Sequence, residues 1–242
     1  MDNISFIIPS NKKNNKETLD LLPISTNMTS ETNIVKNNIT NYIKIAPNVY
    51  SFNSYNLLEN DIYILYNNAC QIKKENKINA IKIFKKCVEL ITNKVKNEII
   101  YEIFVNLALL VSETNGSSDE VGNYYKEALN ICPDRAEPYF YWSIYSNKIH
   151  NFEKSYDLLN KALFLSYDEA KIKYPGTQFS AYGKHLYDEL AVSCYWLKKY
   201  DEGKMLLEKI IDDPDFSHIK QRIKQNLENI NTEIVNLNLN QN

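Results

Sequence analysis

The chain has 242 residues, enough for one medium domain with tails, and 44% of them are hydrophobic, so a sizeable core can form. Its formal net charge is −2, which excludes a global electrostatic attraction to nucleic acid or anionic membranes. Only five glycines and seven prolines occur, a scarcity that disfavours glycine-rich nucleotide loops and most β-barrels and favours helices.

The first 60 residues are rich in asparagine, which occurs 13 times there and only three times in residues 135–220. Residues 1–45 lack sustained hydrophobic periodicity, so we expect this segment to be disordered or loosely attached. The start MDNISFIIPSNKKNN lacks the basic and long apolar regions of a secretory signal, and no apolar run approaches the ~20 residues of a membrane span. We therefore expect a cytoplasmic or otherwise intracellular protein.

Hydrophobic residues recur at helical spacing from about residue 60 onward. Four helix pairs are predicted: 60–74 with 76–91, 96–113 with 119–131, two helices within 135–163, and 185–197 with 201–211. The turns within pairs are short and polar, which makes the paired helices antiparallel neighbours. Residues 166–184, which contain Pro175-Gly176, are expected to form an inserted loop with one helical turn. An amphipathic helix over 217–235 would cap the stack, and 236–242 would fray.

The second helices share a series of small, large and small residues. The four series are Ala80-x3-Phe84-x2-Cys87, Val121-x3-Tyr125-x2-Ala128, Ser155-x3-Leu159-x2-Ala162 and Gly203-x3-Leu207-x2-Ile210. Small residues allow close helix approach, and the large residue fills the space between pairs. Ala128 and Ala162 are 34 residues apart, while the other intervals, 41 and 48 residues, contain extra chain.

A 34-residue helix–turn–helix unit with this series resembles the tetratricopeptide repeat, or TPR, over roughly residues 60–211. The first helices match the family pattern less well, since Tyr139-x2-Trp142-Ser143 stands where the family favours Trp-x2-Leu-Gly. The resemblance implies an all-α fold in residues 46–235, with antiparallel helix pairs stacked as a TPR-like α-solenoid.

The TPR resemblance also implies a concave groove formed by the first helices, suited to a peptide or a partner helix. Projected onto this chain, the groove residues are Glu102, Val105, Leu109, Glu137, Phe140, Ile144, Lys148, His185, Asp188, Val192 and Tyr195. These residues lack the array of basic side chains that a carboxylate clamp needs. The leading interpretation is thus a non-catalytic protein-interaction scaffold.

A second resemblance concerns the segments from Cys132 to Pro138, from Tyr187 to Ala191 and from Lys199 to Gly203, together with Arg222 and Asn226-Leu227. They look like the helical region that follows the catalytic domain of some family-2 glycosyltransferases. The chain has neither βα alternation nor a DxD motif after a strand. The resemblance therefore implies an accessory relative, with a glycosyltransferase as a possible partner, and not transferase activity.

Two alternative functions, an enzyme and a nucleic-acid-binding protein, rest on other residues. An enzyme could use His185 with Asp188 and Glu189, or Arg135 with Glu137, although surface pairs and a salt bridge to the preceding repeat explain these residues more simply. Lysines in 73–96 could bind nucleic acid, but lysine-rich faces are usually only solvated. The four cysteines form no CxxC pair and the three histidines form no HxxxH motif, so we expect buried free thiols, no metal and no other cofactor.

Overall fold

The computed structural model describes residues 60–91, 95, 97–114 and 116–239. This part of the chain is helical and contains no strand. The predicted segment 1–45 and the domain start at residue 46 lie outside the described residues. The α-helices are α1 (Asn60–Ile72), α2 (Lys77–Glu89), α3 (Asn97–Glu113), α4 (Ser118–Ile131), α5 (Glu137–Lys148), α6 (Phe152–Leu163), α7 (Tyr167–Lys173), α8 (Tyr187–Trp196), α9 (Tyr200–Glu208) and α10 (Lys220–Leu239).

The helices pack against one another in the order in which they occur in the sequence. Helices pair as α1 with α2, α3 with α4, α5 with α6 and α8 with α9, while α10 packs on α9. Each second helix also contacts the first helix of the next pair, and α5 contacts both α3 and α8. The first helices α3, α5 and α8 thus share one side, which we call the first-helix face. The predicted all-α, TPR-like stack of antiparallel pairs with a capping helix is confirmed.

The small, large and small series of the second helices accounts for the close packing. All twelve of its residues are buried. At Gly203, an added Cβ atom would lie 3.1 Å from Cys194 Cβ and 3.3 Å from Ile230 Cδ1. The small position therefore sets how closely α9 approaches α8 and α10.

Local signals fix where the helices begin and end. Asn76, Ser117 and Asn151 are N-caps, and each side chain accepts a hydrogen bond from a backbone amide of the following turn. Pro138 lies in the first turn of α5, where its missing amide proton is not needed.

The turn after α5 has the hydrogen bonds of a Schellman motif. His150 N donates to Asn147 O at 3.0 Å, and Asn151 N donates to Ser146 O at 2.8 Å. His150 has a φ of 60°, in the left-handed region that glycine adopts more easily. The turn after α8 places Lys198 in the same conformation.

The insertion 166–184 is more helical than predicted. It contains α7 and a 3₁₀ turn at Phe179–Ala181, and a second 3₁₀ turn, Gly183–Leu186, leads into α8. The last helix differs as well, since a 3₁₀ segment at Pro214–Ile219 precedes α10, and α10 continues to Leu239 where fraying was expected. Within the described part of the chain, no helix has the length and apolar character needed to cross a membrane.

Candidate functional site

The eleven predicted groove residues separate into two groups by exposure. Leu109, Phe140, Ile144 and His185 are partly exposed, and Lys148 is exposed. The buried ones are Glu102, Val105, Glu137, Asp188, Val192 and Tyr195. Val105 is 0% exposed and packs in the core with neighbours from α4 and α5, which removes it from the surface on which the groove was expected.

Three of the predicted residues line an open pocket with a volume of about 390 Å³, which we call the α8–α10 pocket. It lies between α5, α8, the 3₁₀ segment before α10 and the start of α10. Its lining residues are Phe140, Ser180, His185, Asp188, Glu189, Asp215, Phe216, His218, Ile219 and Arg222. The pocket therefore brings together the three residues of the enzyme interpretation, His185 from the 3₁₀ turn before α8 and Asp188 and Glu189 from α8 itself.

An ion pair between two lining residues of the pocket joins α8 and α10. Arg222 Nη2 pairs with Asp188 Oδ2, and the Asp188 side chain is only 6% exposed. At the rim, Lys184 Nζ lies 2.6 Å from Asp213 Oδ2 and 2.8 Å from Asp215 Oδ2. The charges of the pocket are therefore arranged as pairs.

Three buried polar atoms in the pocket residues have no hydrogen-bond partner within the described part of the chain: Asp188 Oδ1, Arg222 Nε and His185 Nε2. Burial, with a contribution from the nearby Lys184 ammonium, lowers the pKa of His185 and favours the neutral imidazole. Because Nε2 accepts no bond and donates none, neither acid of α8 orients it as a catalytic base through this atom.

Glu189 reaches from the pocket into the interface between the third and fourth pairs. Asn147 Nδ2 lies 3.3 Å from Glu189 Oε2, and Ser193 Oγ donates to Asn147 Oδ1 at 3.0 Å. Ser193 Oγ also lies 2.9 Å from Ser155 Oγ. Burial raises the pKa of Glu189, opposed by the hydrogen bond from Asn147. This network joins α5, α6 and α8 below the pocket.

A second buried polar cluster surrounds Arg135, which is 2% exposed. Arg135 Nη2 donates to Glu137 Oε1 at 2.7 Å, and Nη1 lies 3.5 Å from Glu102 Oε1 on α3. The guanidinium carbon lies 4.0 Å from the centre of the Tyr101 ring. The salt bridge from this residue to the preceding repeat is confirmed, so Arg135 and Glu137 have a structural explanation.

The insertion closes over this cluster. Gln178 N donates to Glu137 Oε1 at 2.9 Å, and Tyr182 Oη donates to Glu137 Oε2 at 3.2 Å. Tyr141 Oη also bonds the side chain of Gln178. Glu137 was predicted to face a partner, but the insertion covers it because its carboxylate accepts these bonds from residues about 40 positions away.

Several of the described lysines that suggested nucleic-acid binding have partners within the chain. Lys77 pairs with Glu113 at 2.9 Å, and Lys85 pairs with Glu120 at 2.8 Å. Lys73 Nζ donates to Asn106 Oδ1 at 3.0 Å. These contacts favour the interpretation of a solvated face over that of a phosphate-binding surface.

No family model matches the chain, and no curated protein matches it. Among solved structures the chain is similar to the MamA RS-1 ArsTM double mutant, with 12% sequence identity and a TM-score of 0.49, over 77% of this chain and 99% of that chain. A likeness of this size says nothing about function. The packing of its own helices defines the chain as an all-α protein of TPR-like helix pairs. The resemblance to glycosyltransferase-linked helical regions stays a prediction.

Proposed function

We propose that the chain is a non-catalytic protein-interaction scaffold whose first-helix face binds a peptide or a partner helix. The observation that carries this proposal is the α8–α10 pocket beside partly exposed apolar side chains of the same face. Phe140 lines the pocket, and Ile144 and Lys148 follow it at four-residue intervals along α5. Side chains at this spacing lie on one side of a helix, so they form a continuous strip with the pocket.

The strip has the composition of a peptide-binding surface. The apolar side chains of Leu109, Phe140 and Ile144 are partly exposed and can contact a bound peptide. The pocket adds polar groups that can fix the direction of the peptide chain. Part of the face is already occupied, since the insertion covers Glu137 and Tyr141 at the start of α5. The partner would therefore contact the later turns of α3 and α5 and the pocket.

A peptide library displayed on phage tests the proposal, with selection on the full chain followed by affinity measurements on variants. Phe140→Ala and Lys148→Glu should each weaken the selected peptides, Phe140→Ala by about tenfold or more if it is an anchor. Matched controls are Phe164→Ala and Lys161→Glu, which change exposed residues of the second helix α6 and its end.

The controls should leave the affinity unchanged, and circular dichroism should show that all four variants are folded. If the library yields no binder, or if the α6 variants weaken binding while the α5 variants do not, the first-helix face is not the partner surface.

A further inference from the structure

The charged groups of the α8–α10 pocket neutralise one another. Asp188 pairs with Arg222, and Asp215 pairs with Lys184 at 2.8 Å. Burial raises the pKa of the Glu189 carboxyl group, which favours its neutral form. The pocket therefore offers little uncompensated charge to an ionic ligand.

Two buried atoms at the ion pair are nevertheless left without a partner among the described residues. Asp188 Oδ1 belongs to the carboxylate that pairs through Oδ2, and Arg222 Nε belongs to the guanidinium that pairs through Nη2. The first atom can only accept a hydrogen bond and the second can only donate one. Asp188 is only 4% exposed, so bulk solvent does not compensate its free oxygen.

The pocket is large enough to accommodate a side chain of a partner, and its walls are partly apolar. Phe140, Phe216 and Ile219 supply apolar surface around the polar end. A volume of about 390 Å³ is at the lower end of the range for ligand sites, roughly 300–1,000 Å³. Asp188 and Arg222 both line the pocket, so a ligand in the pocket lies against their ion pair.

We propose that this pocket binds a carboxamide group, supplied by an asparagine or glutamine side chain of the partner that the proposed function requires. The carboxamide oxygen accepts from Arg222 Nε, and its amino group donates to Asp188 Oδ1. A carboxylate in the same place would put a second negative group against Asp188. An ammonium group would lie against the Arg222 guanidinium, so both charged groups are disfavoured.

The probes for this inference are the N-acetyl, N′-methylamide derivatives of glutamine, asparagine, glutamate and lysine, titrated into the ¹⁵N-labelled full chain. Glutamine or asparagine should give saturable NMR shifts at amides of 185–189 and 219–222 and at the Arg222 Nε signal. The glutamate and lysine derivatives should bind at least about tenfold more weakly. Equal binding of a charged derivative, or no saturable shift at these sites, overturns the inference.

A change of specificity gives a second test that misfolding cannot imitate. In Asp188→Asn the Arg222 charge is no longer paired, so the preference should move from the glutamine to the glutamate derivative. Arg222→Lys keeps the positive charge but removes Nε, so glutamine binding should fall about tenfold without a gain for glutamate. The control Asp157→Asn, at an exposed site on α6, should change neither preference. Retention of the glutamine preference in both pocket variants contradicts the assignment.

The failure of this inference can be told apart from failure of the scaffold proposal. If peptides bind the first-helix face without needing a carboxamide, the scaffold proposal is supported and the carboxamide proposal is wrong. If the glutamine derivative binds the pocket but no peptide binds the face, the carboxamide proposal is supported and the scaffold proposal is wrong.

Discussion

Replacing Arg135 with methionine removes the guanidinium that holds two buried carboxylates. Its contacts with Glu137 are bidentate, at 2.7 and 3.3 Å, and Glu137 is 1% exposed. Breaking a buried pair from one side typically costs about 3–5 kcal/mol, because the remaining charge has no compensation. We expect Arg135→Met to lower the free energy of unfolding by about this amount, a large part of the roughly 5–15 kcal/mol of a natural domain.

Urea unfolding followed by far-UV circular dichroism measures this loss. The double variant Arg135→Met with Glu137→Gln should recover part of it, because the group left in the core is then neutral. Lys173→Met is the matched control: its pair with Asp134 is 2.6 Å long but exposed, so its removal should leave the unfolding midpoint unchanged. An equal effect of Arg135→Met and Lys173→Met would show that burial does not decide how much an ion pair contributes to the free energy of unfolding.

Three other predictions test separate parts of the structure. His150→Gly relieves the positive φ of the turn after α5 and should stabilise the chain by about 1 kcal/mol in thermal unfolding, whereas Lys148→Gly, inside the helix, should destabilise it. Burial, opposed by Arg135, raises the pKa of Glu102 from 4.5 to about 7, so the folded chain binds this proton more tightly than the unfolded chain. The free energy of unfolding should therefore fall by about 3 kcal/mol as the pH rises from about 4.5 through 7. Urea titrations at pH 5 and 8 measure this fall, and the Glu102→Gln variant should not show it. Ala162→Phe overpacks a fully buried contact and should cost about 1–3 kcal/mol, so an unchanged unfolding midpoint would show that the site is not tightly packed.

The fold was predictable because its signals are local. Ser117 and Pro138 mark helix starts through their own hydrogen-bonding properties, and the series Ala80, Phe84 and Cys87 encodes a buried stripe through spacing alone. Each helix pair packs mainly on the pairs next to it in sequence. Patterns within short stretches of sequence are therefore enough to predict the stack.

The site was only partly predictable because its contacts are long-range. The repeat pattern predicts Phe140, His185 and Asp188 on the groove side, whereas Phe216 reaches the pocket from the 3₁₀ segment Pro214–Ile219 and Arg222 from α10, outside that pattern.

The covering of Glu137 by the insertion shows the same limitation. The repeat pattern predicts Glu137 in the partner groove, yet Gln178 and Tyr182 donate hydrogen bonds to it from about 40 residues further along the chain. An aperiodic loop gives no register from which such a contact can be inferred.

Amide hydrogen exchange of the full chain, with and without a peptide selected from the library, shows directly whether the partner binds the first-helix face. We expect added protection in α5 after Tyr141, in the second half of α3, and in residues 185–196 and 214–222, which contain α8 and the pocket-lining residues of the 3₁₀ segment and of α10. Protection confined to the second helices α2, α4 and α6, or no change for a peptide that binds, would contradict a partner surface on the first-helix face.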